Sequence, residues 1–278
     1  MDRWLLHNGE ALQFVLYASL LALFGAVEFW RPHRPGPMRR GTRWPVNFGL
    51  TLVNVAVLPI LPVSFLGAAL WADRNGIGLF HWLALPAAAV ATLAARAFIS
   101  FVTHYLNHMV PWLWRIHRVH HLDTELDVST TVRFHPLEFG VGLIVGLPVI
   151  VGLGLTPWML VAYEVLDTVV NLWTHSNTRA PESWERVLRY VIVTPELHRI
   201  HHSAWKPETN SNFGAVFPMW DLIFGTYRST PRHSSATMPL GLDSERGPEV
   251  QQLSYLLSLR KRVSAAMDAQ PRDASVGE

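Results

Sequence analysis

Four long apolar stretches constrain the fold of this chain more than any other feature. A membrane-spanning helix needs about 20 predominantly apolar residues. The candidate stretches are Ala11–Trp30, Val46–Ala72, Leu79–Val102 and Phe139–Trp173. Half of the 278 residues are hydrophobic and only 16% are charged, whereas a soluble domain carries about 25% charged residues. We therefore predict an all-α, polytopic membrane helical bundle.

Prolines and glycines divide two of these stretches. Pro59 and Pro62 interrupt the second stretch, and they predict a kinked helix or a re-entrant pair of helices. The fourth stretch is too long for one span, and Gly152, Gly154 and Pro157 predict that it forms a helical hairpin. The bundle is therefore expected to contain about four to five membrane segments.

The arginines predict an orientation in the membrane. Cytoplasmic loops are enriched in Lys and Arg, and the loop Arg31–Arg43 carries five arginines, whereas the link Asp73–Gly78 carries only Arg74. Following the helices from that loop brings both His104 and His175 to the cytoplasmic face. We predict a multi-pass integral membrane protein with its histidine site on the cytoplasmic side.

Histidines are clustered in a way that composition alone does not explain. Five of the 14 histidines lie between positions 104 and 121. Residues spaced i,i+3 or i,i+4 share a face of a helix, so each cluster can present its imidazoles to a metal. The motifs HxxxH, HxxHH and HxxHH contain His104 and His108, then His117, His120 and His121, and then His198, His201 and His202. His135 and His175 complete a candidate set of ten metal ligands.

The remaining four histidines are isolated in the sequence and have no second histidine at a spacing that would let both bind one metal. They are His7, His33, His81 and His233, and we interpret them as ordinary core or surface residues.

The ligand set favours a di-iron centre that activates oxygen. Imidazole suits iron, zinc and copper, and two metals need about eight to ten protein ligands when few carboxylates contribute. We find neither the Glu-x-x-His pairs of carboxylate-bridged di-iron bundles nor a Gly-rich dinucleotide motif. The chain has no cysteine, which excludes iron–sulfur clusters and thiolate-ligated haem within it.

Several motifs resemble those of the fatty acid hydroxylase or sterol desaturase superfamily. The resemblance covers roughly Ala95 to Tyr227, and its motifs are Leu113–His121, Arg133–Glu138, Thr194–Ser203 and Trp220–Tyr227. It implies a membrane helical fold with a cytoplasmic di-iron site that consumes oxygen and two electrons. Two positions depart from the family pattern: Ala97 stands where the family commonly has Asp, and Tyr105 where it commonly has Arg.

We accordingly predict three segments. Residues 1–78 form N-terminal membrane helices, residues 79–228 a fatty acid hydroxylase-like di-iron domain with a cytoplasmic helical cap, and residues 229–278 a polar tail. Within the tail, Glu249–Val263 has spaced leucines followed by Arg260, Lys261 and Arg262. That pattern is typical of a short interfacial helix.

The predicted function is hydroxylation or desaturation of a lipid with molecular oxygen. The cofactors are two iron ions, which zinc can replace in purified protein. The substrate is a sterol, a hopanoid, a fatty acyl chain, or an ether or amino lipid. No electron-transfer motif is visible, so a separate ferredoxin or b-type cytochrome system is the expected donor. No basic stripe with interleaved aromatics is present, so no nucleic-acid partner is predicted.

The histidine motifs also allow two alternatives to the oxygenase. A non-catalytic metal-binding or metal-transport protein would place its ligands near the bilayer midplane, whereas these histidines follow the ends of apolar stretches. A zinc hydrolase needs only three protein ligands for one zinc, and the HExxH motif is absent.

Further side chains are candidates for supporting roles. The carboxylates that can orient imidazole N–H groups, or simply cap helices, are Glu138, Glu196 and Asp221. The aromatics that can line the substrate entrance, or form an interfacial belt, are Trp112, Trp114, Trp173 and Trp205. Two acids within the predicted hairpin, Glu164 and Asp167, are expected to face protein, water or the substrate cavity.

Overall fold

The computed structural model describes residues 2–36 and 38–259, with side chains described from residue 14 onward. Within these ranges the chain is helical and contains no β-strand, which confirms the all-α prediction. The helices are α1 (Asp2–Trp30), α2 (Arg40–Val57), α3 (Phe65–Arg74), α4 (Leu85–Met109), α5 (Pro111–His121), α6 (Leu137–Leu153), α7 (Pro157–His175), α8 (Glu182–Leu188), α9 (Pro195–His201), α10 (Lys206–Thr209), α11 (Met219–Phe224) and α12 (Leu253–Leu257). Short 3₁₀ turns occupy Leu58–Ile60, Leu79–Trp82, Val128–Val132 and Pro248–Gln251.

Among the residues that the structure describes, two stretches are long and apolar enough to cross a membrane. They are Arg40–Arg74, which contains α2 and α3, and Leu85–Met109, which is α4. Phe14–Trp30 and Leu137–Leu153 are shorter apolar helices. Pro59 and Pro62 mark the break between α2 and α3, because a proline removes a backbone donor and cannot continue a helix.

The apolar core of the bundle lies between α3, α4, α6 and α7. Its buried members are Ala68, Ala69, Ile99, Ile150, Leu155 and Leu160. Helices α3 and α6 approach closely at Gly146, where a Cβ atom would lie 2.5 Å from the ring of Phe65. The absence of a side chain at Gly146 permits this close approach of α3 and α6.

The two ends of the bundle differ in chemistry. At one end the link after α3 meets the turn between α6 and α7, where a Cβ at Gly78 would overlap the backbone of Gly154. Both glycines have positive φ, which an L side chain rarely adopts. At the other end the arginine-rich loop before α2 packs against the segments that follow α5 and α7. Arg34 N–H donates to Asn177 Oδ1 over 3.0 Å, directly after the last turn of α7.

A buried ion network fixes the loop that follows α5. The Arg43 guanidinium, 1% exposed, lies 2.6 Å from Asp123 Oδ1 and 2.7 Å from Asp127 Oδ2. Arg133, also fully buried, donates to Asn47 Oδ1 over 2.8 Å and to the Val119 carbonyl over 2.8 Å. These bonds tie α2 to the C-terminal end of α5.

The C-terminal segment packs back onto this end of the bundle. Helix α12 and the preceding 3₁₀ turn lie against α2, and Val250 and Leu256 are buried with Leu50. The predicted helix Glu249–Val263 thus contains two short helical pieces up to Leu257, and its basic end at 260–262 lies outside the described residues. The proposed boundaries of the three segments stay a prediction.

Candidate metal centre

Four separate helix ends bring nine histidines together. The last two turns of α4 supply His104 and His108, and α5 begins at Pro111 immediately afterwards. Proline suits the first position of a helix, because its missing N–H would be unpaired there in any case. Helix α9 begins in the same way at Pro195. The nine converging histidines are His104, His108, His117, His120, His121, His175, His198, His201 and His202.

The nine imidazoles form two groups. The first, here called the five-histidine group, contains His104, His108, His117, His121 and His201. The second, the four-histidine group, contains His120, His175, His198 and His202. In each group the candidate ligand nitrogens all lie within 4.8 Å of one another. The HxxHH motifs thus divide between the groups, and each motif contributes to both.

The Nε2 atoms of the four-histidine group point at one another. Nε2 of His175 lies 3.1 Å from Nε2 of His120 and 2.9 Å from Nε2 of His198, which is 3.1 Å from Nε2 of His202. Nitrogens that bind one metal at about 2.1 Å in neighbouring positions are about 3 Å apart. The donor set and its spacing therefore fit a metal ion.

The five-histidine group leaves its nitrogens without partners. All five Nε2 atoms are buried and have no hydrogen-bond partner. They are the Nε2 atoms of His104, His108, His117, His121 and His201. A buried polar atom without a partner costs free energy. A metal ion among these atoms would remove that cost, so this group also fits a metal ion.

The opposite ring nitrogens are held by the protein. The Nδ1 atom of His104 lies 2.9 Å from the carbonyl oxygen of Phe213. In the same way, Nδ1 of His201 is 2.8 Å from the Ser211 carbonyl, and Nδ1 of His175 is 2.8 Å from the Asn171 carbonyl. A carbonyl only accepts, so Nδ1 carries the proton and donates it. This arrangement fixes the tautomer in which Nε2 is free to bind a metal.

Side chains hold two further rings of the five-histidine group. Nδ1 of His117 lies 2.7 Å from Glu138 Oε1, and Nδ1 of His108 lies 3.3 Å from Asn210 Oδ1. The carboxylate–imidazole–metal arrangement raises the basicity of the ligand and fixes its orientation.

Burial keeps the imidazoles uncharged. It lowers the pKa of His201 to about 3, and burial followed by the neighbouring imidazoles lowers the pKa of His198 and of His202 well below the usual value. The neutral form is the one that binds a metal.

His135 lies outside both groups. Leu137 N–H donates to its Nδ1 over 3.2 Å, and its Nε2 is 3.5 Å from the Leu257 carbonyl. The structure therefore brings nine of the ten predicted ligands together. Of the histidines read as ordinary, His33 Nε2 lies 3.0 Å from Ser235 Oγ, His81 lies near Gly154 at the opposite end of the bundle, and the side chain of His7 is not among those described.

The three candidate carboxylates have different surroundings. Only Glu138 contacts one of the nine histidines directly. Asp221 accepts the N–H groups of Phe213 and Gly214, each over 2.7 Å, and thereby fixes the loop whose carbonyl holds His104. Glu196 Oε1 is 3.2 Å from Arg199 and 3.5 Å from His33, away from the nine rings.

The candidate tryptophans also have different surroundings. The Trp114 ring lies 4.9 Å from that of His108 and 5.4 Å from that of His121, so it packs on the five-histidine group. Trp112 is exposed, and Trp205 lies beside Arg228 and Arg232.

Comparison with known proteins identifies the segment that carries this centre. The fatty acid hydroxylase family model matches residues 89–226, which contain all nine histidines. Through these residues the chain belongs to the fatty acid hydroxylase family.

Three relatives each align with about half of the chain. Ornithine lipid hydroxylase of Rhizobium tropici is 32% identical over 52% of this chain and 43% of its own length. Human cholesterol 25-hydroxylase is 32% identical over 46% of this chain and 47% of its own length. Human alkylglycerol monooxygenase is 26% identical over 45% of this chain and 27% of its own length. The alignments thus span about half or less of these relatives, and no solved structure gave a significant match.

The two departures from the fatty acid hydroxylase pattern lie away from the rings. Ala97 is buried among Tyr163, Val170 and Val216. Tyr105 is partly exposed and lies against Phe101 and Phe213. Neither substitution removes a nitrogen from the two groups.

A cavity of about 210 Å³ connects both groups to the interior of the bundle. Its histidine end is lined by His104, His117, His120, His175 and His198. From there it extends between α4 and α7 to Arg96 and Asp167. Sequence reasoning missed Arg96, Asn171 and the carbonyls of Ser211 and Phe213. The Asn-Phe-Gly run at 212–214 was the available signal for the last of these.

Proposed function

We propose that this fatty acid hydroxylase family member is a membrane di-iron oxygenase that hydroxylates or desaturates a lipid. The observation that supports this most directly is the convergence of two groups of buried imidazoles on one cavity. The relatives are named for hydroxylation or monooxygenation of ornithine lipid, cholesterol and alkylglycerol. The proposed substrate is accordingly a lipid, and the proposed co-substrate is molecular oxygen.

In this proposal each group holds one iron ion. The five-histidine group provides five buried Nε2 atoms, and the four-histidine group provides four that are already about one ligand spacing apart. Bound iron would supply the oxygen activation that an unactivated C–H bond requires. His135 is left out of the proposed ligand set, because its ring nitrogens face Leu137 and Leu257.

The protein itself would orient the ligands, bind the lipid and exclude water. Carbonyl oxygens of Asn171, Ser211 and Phe213 hold Nδ1–H groups and so keep Nε2 free. Glu138 does the same for His117 with a charged acceptor. The lipid chain would lie between Phe65, Ile99 and Phe134, whose side chains line the cavity. Such preorganisation places a carbon beside the centre without reorganisation during the reaction.

We further propose that the apolar helices lie in a bilayer with the histidine end facing the cytoplasm. The arginine-rich loop before α2 packs at that end through Arg34 on Asn177, and the first turn of α2 does so through Arg43 on Asp123. The arginine-poor link after α3 packs at the opposite end. This arrangement agrees with the tendency of basic residues to remain on the cytoplasmic side, and α1, α2, α3, α4, α6 and α7 would then provide the four to five membrane segments.

Electrons would come from a separate protein. The chain contains no cysteine, so it cannot ligate an iron–sulfur cluster of its own with thiolates. A ferredoxin or a b-type cytochrome is the proposed donor.

The function can be tested with protein produced in iron-supplemented cells and reconstituted in lipid nanodiscs. The reaction mixture contains a chemical or ferredoxin-based reductant, ¹⁸O₂ and a panel of ornithine lipid, sterol, alkylglycerol and fatty acyl lipids. Mass spectrometry should find one ¹⁸O atom added to one lipid class, or two hydrogens removed from it. His198→Ala protein is the matched control and should give no product. Iron-loaded protein that consumes no oxygen with any lipid of the panel would contradict the proposal.

A further inference from the structure

The end of the cavity away from the histidines is polar, although the helices around it are apolar. On α4, Arg96, Ser100 and Thr103 line the cavity at helical spacing and precede His104. On α7, Asp167 and Asn171 line it and precede His175. Arg96 precedes His104 by eight residues, and Asp167 precedes His175 by eight residues, which corresponds to about 12 Å along each helix. Two parallel polar rows therefore lead from the metal centre into the bundle.

Arg96 is already paired. Its Nε lies 2.7 Å from Glu164 Oε1, and its Nη1 donates to Ser100 Oγ over 2.5 Å. Its guanidinium also lies over the rings of Phe65 and Tyr163, at 5.2 and 4.9 Å from their centroids. These contacts hold Arg96 in the wall and neutralise it. Arg96 is therefore a poor receptor for an anionic ligand.

Asp167 is only partly compensated, because it shares the charge of Arg96 with Glu164 and otherwise interacts with the Asn171 side chain. The Oδ1 atom of Asp167 is buried and has no hydrogen-bond partner, and the same is true of Thr103 Oγ1 and Asn107 Oδ1 along the cavity. With one guanidinium and two carboxylates, the cluster of Arg96, Glu164 and Asp167 carries a net formal charge of −1. An acid in such surroundings is costly unless it faces a compensating group. Asp167 Oδ1 can accept a hydrogen bond, and the cluster has one negative charge in excess. A donor that carries a positive charge would satisfy both.

We propose that this end of the cavity binds the ammonium group of a lipid substrate, with Asp167 as the acceptor that determines specificity. The inference rests on the proposed oxygenase function, and it names the substrate class as an amine-bearing lipid. The alkyl part would run from Asp167 past Ile99 and Phe65, which line the cavity. The oxidised carbon would then lie about 12 Å from the nitrogen, the axial distance between Asp167 and His175.

The test measures binding, which is independent of turnover. Iron-loaded full-length protein in nanodiscs of uncharged lipid is titrated with dodecylamine, dodecanol and dodecanoate. The variants are Asp167→Asn, Asp167→Glu and, as matched control, Asp73→Asn, which removes an exposed aspartate at the end of α3. Iron content and oxygen consumption are measured on every sample.

Wild-type protein and the Asp73→Asn control should bind the amine at least about tenfold more tightly than the alcohol or the carboxylate, as expected when an ion pair forms in a dry site. Asp167→Asn should lose this preference, and Asp167→Glu should keep it. Equal affinities for amine and alcohol in wild-type protein would overturn the proposal, whatever the variants do. An Asp167-dependent amine preference in protein that consumes no oxygen would support this site and contradict the proposed oxygenase function.

Discussion

Nδ1 of His117 lies 2.7 Å from Oε1 of Glu138, and this contact joins α5 to the first turn of α6. The other oxygen of Glu138 is buried without a partner, and Asn107 Nδ2 is 3.4 Å from Oε1. The main hydrogen bond of the Glu138 carboxylate is therefore the one to His117 in the five-histidine group. It connects the histidine motif of α5 with the Arg-Phe-His-Pro-Leu-Glu motif, whose own histidine stands apart.

Replacing Glu138 by Gln should weaken the metal centre without unfolding the protein. Glutamine still accepts from His117 Nδ1–H, but it lacks the charge that makes the imidazole a stronger donor. We expect a loss of about 10- to 100-fold in metal affinity or in activity. Glu182→Gln removes an exposed carboxylate on α8 and is the control. Equal iron affinity in both variants would show that the Glu138 charge has no part in the site.

Metal analysis of variants can distinguish a histidine of the two groups, such as His198, from His135, which lies outside them. His198→Ala removes one of four nitrogens that lie about 3 Å apart, so iron should fall from two per chain towards one. His135→Ala removes an imidazole outside both groups and should keep both irons. Elemental analysis of protein purified from iron-supplemented cells measures this. If His135→Ala lost an iron and His198→Ala did not, the nine-histidine set would be wrong.

Arg43 should be essential for stability rather than for binding. Its removal leaves Asp123 buried without its ion-pair partner, and it leaves Asp127 with only the more distant Arg40, whose Nε is 4.0 Å away. Breaking a buried pair in this way costs about 3–5 kcal/mol. We therefore expect Arg43→Ala to lower the unfolding midpoint in detergent strongly, whereas Arg39→Ala, at the exposed position directly before α2, should leave it nearly unchanged. Similar midpoints for both variants would contradict this role.

His33 should make the protein acid-sensitive. Burial, then the charge of Arg199, lowers its pKa to about 4 in the folded chain, from 6.5 when it is free. Between these values the unfolded chain binds more protons than the folded one, so stability falls as the pH falls. The contribution is fully present above pH 6.5 and is lost as the pH approaches 4. His33→Gln, which can still bond to Ser235, should show a shallower loss in unfolding titrations over this range. Parallel curves for both proteins would rule the contribution out.

Local patterns predicted much of this structure. Apolar length and Pro59 and Pro62 located α2, α3 and the break between them, and Gly154 marked the turn between α6 and α7. The i,i+3 and i,i+4 spacings identified the imidazoles that converge, because a helix places those residues on one face.

The division of the HxxHH motifs between two groups was not predictable, since it depends on how α5 and α9 are rotated against α4 and α7. His135 illustrates the same limit. It lies in one of the motifs that carry the family resemblance, but its position just before α6 turns the ring towards Leu257. The backbone carbonyls that accept from the histidine ligands could not be predicted either, because every residue has a backbone carbonyl and the residue type does not show which one acts as an acceptor.

The most direct test of this account is an anomalous difference map at the iron edge from crystals of iron-loaded protein. The account predicts two peaks, one within reach of His104, His108, His117, His121 and His201, and the other within reach of His120, His175, His198 and His202. One peak only, or peaks away from these nitrogens, would contradict it.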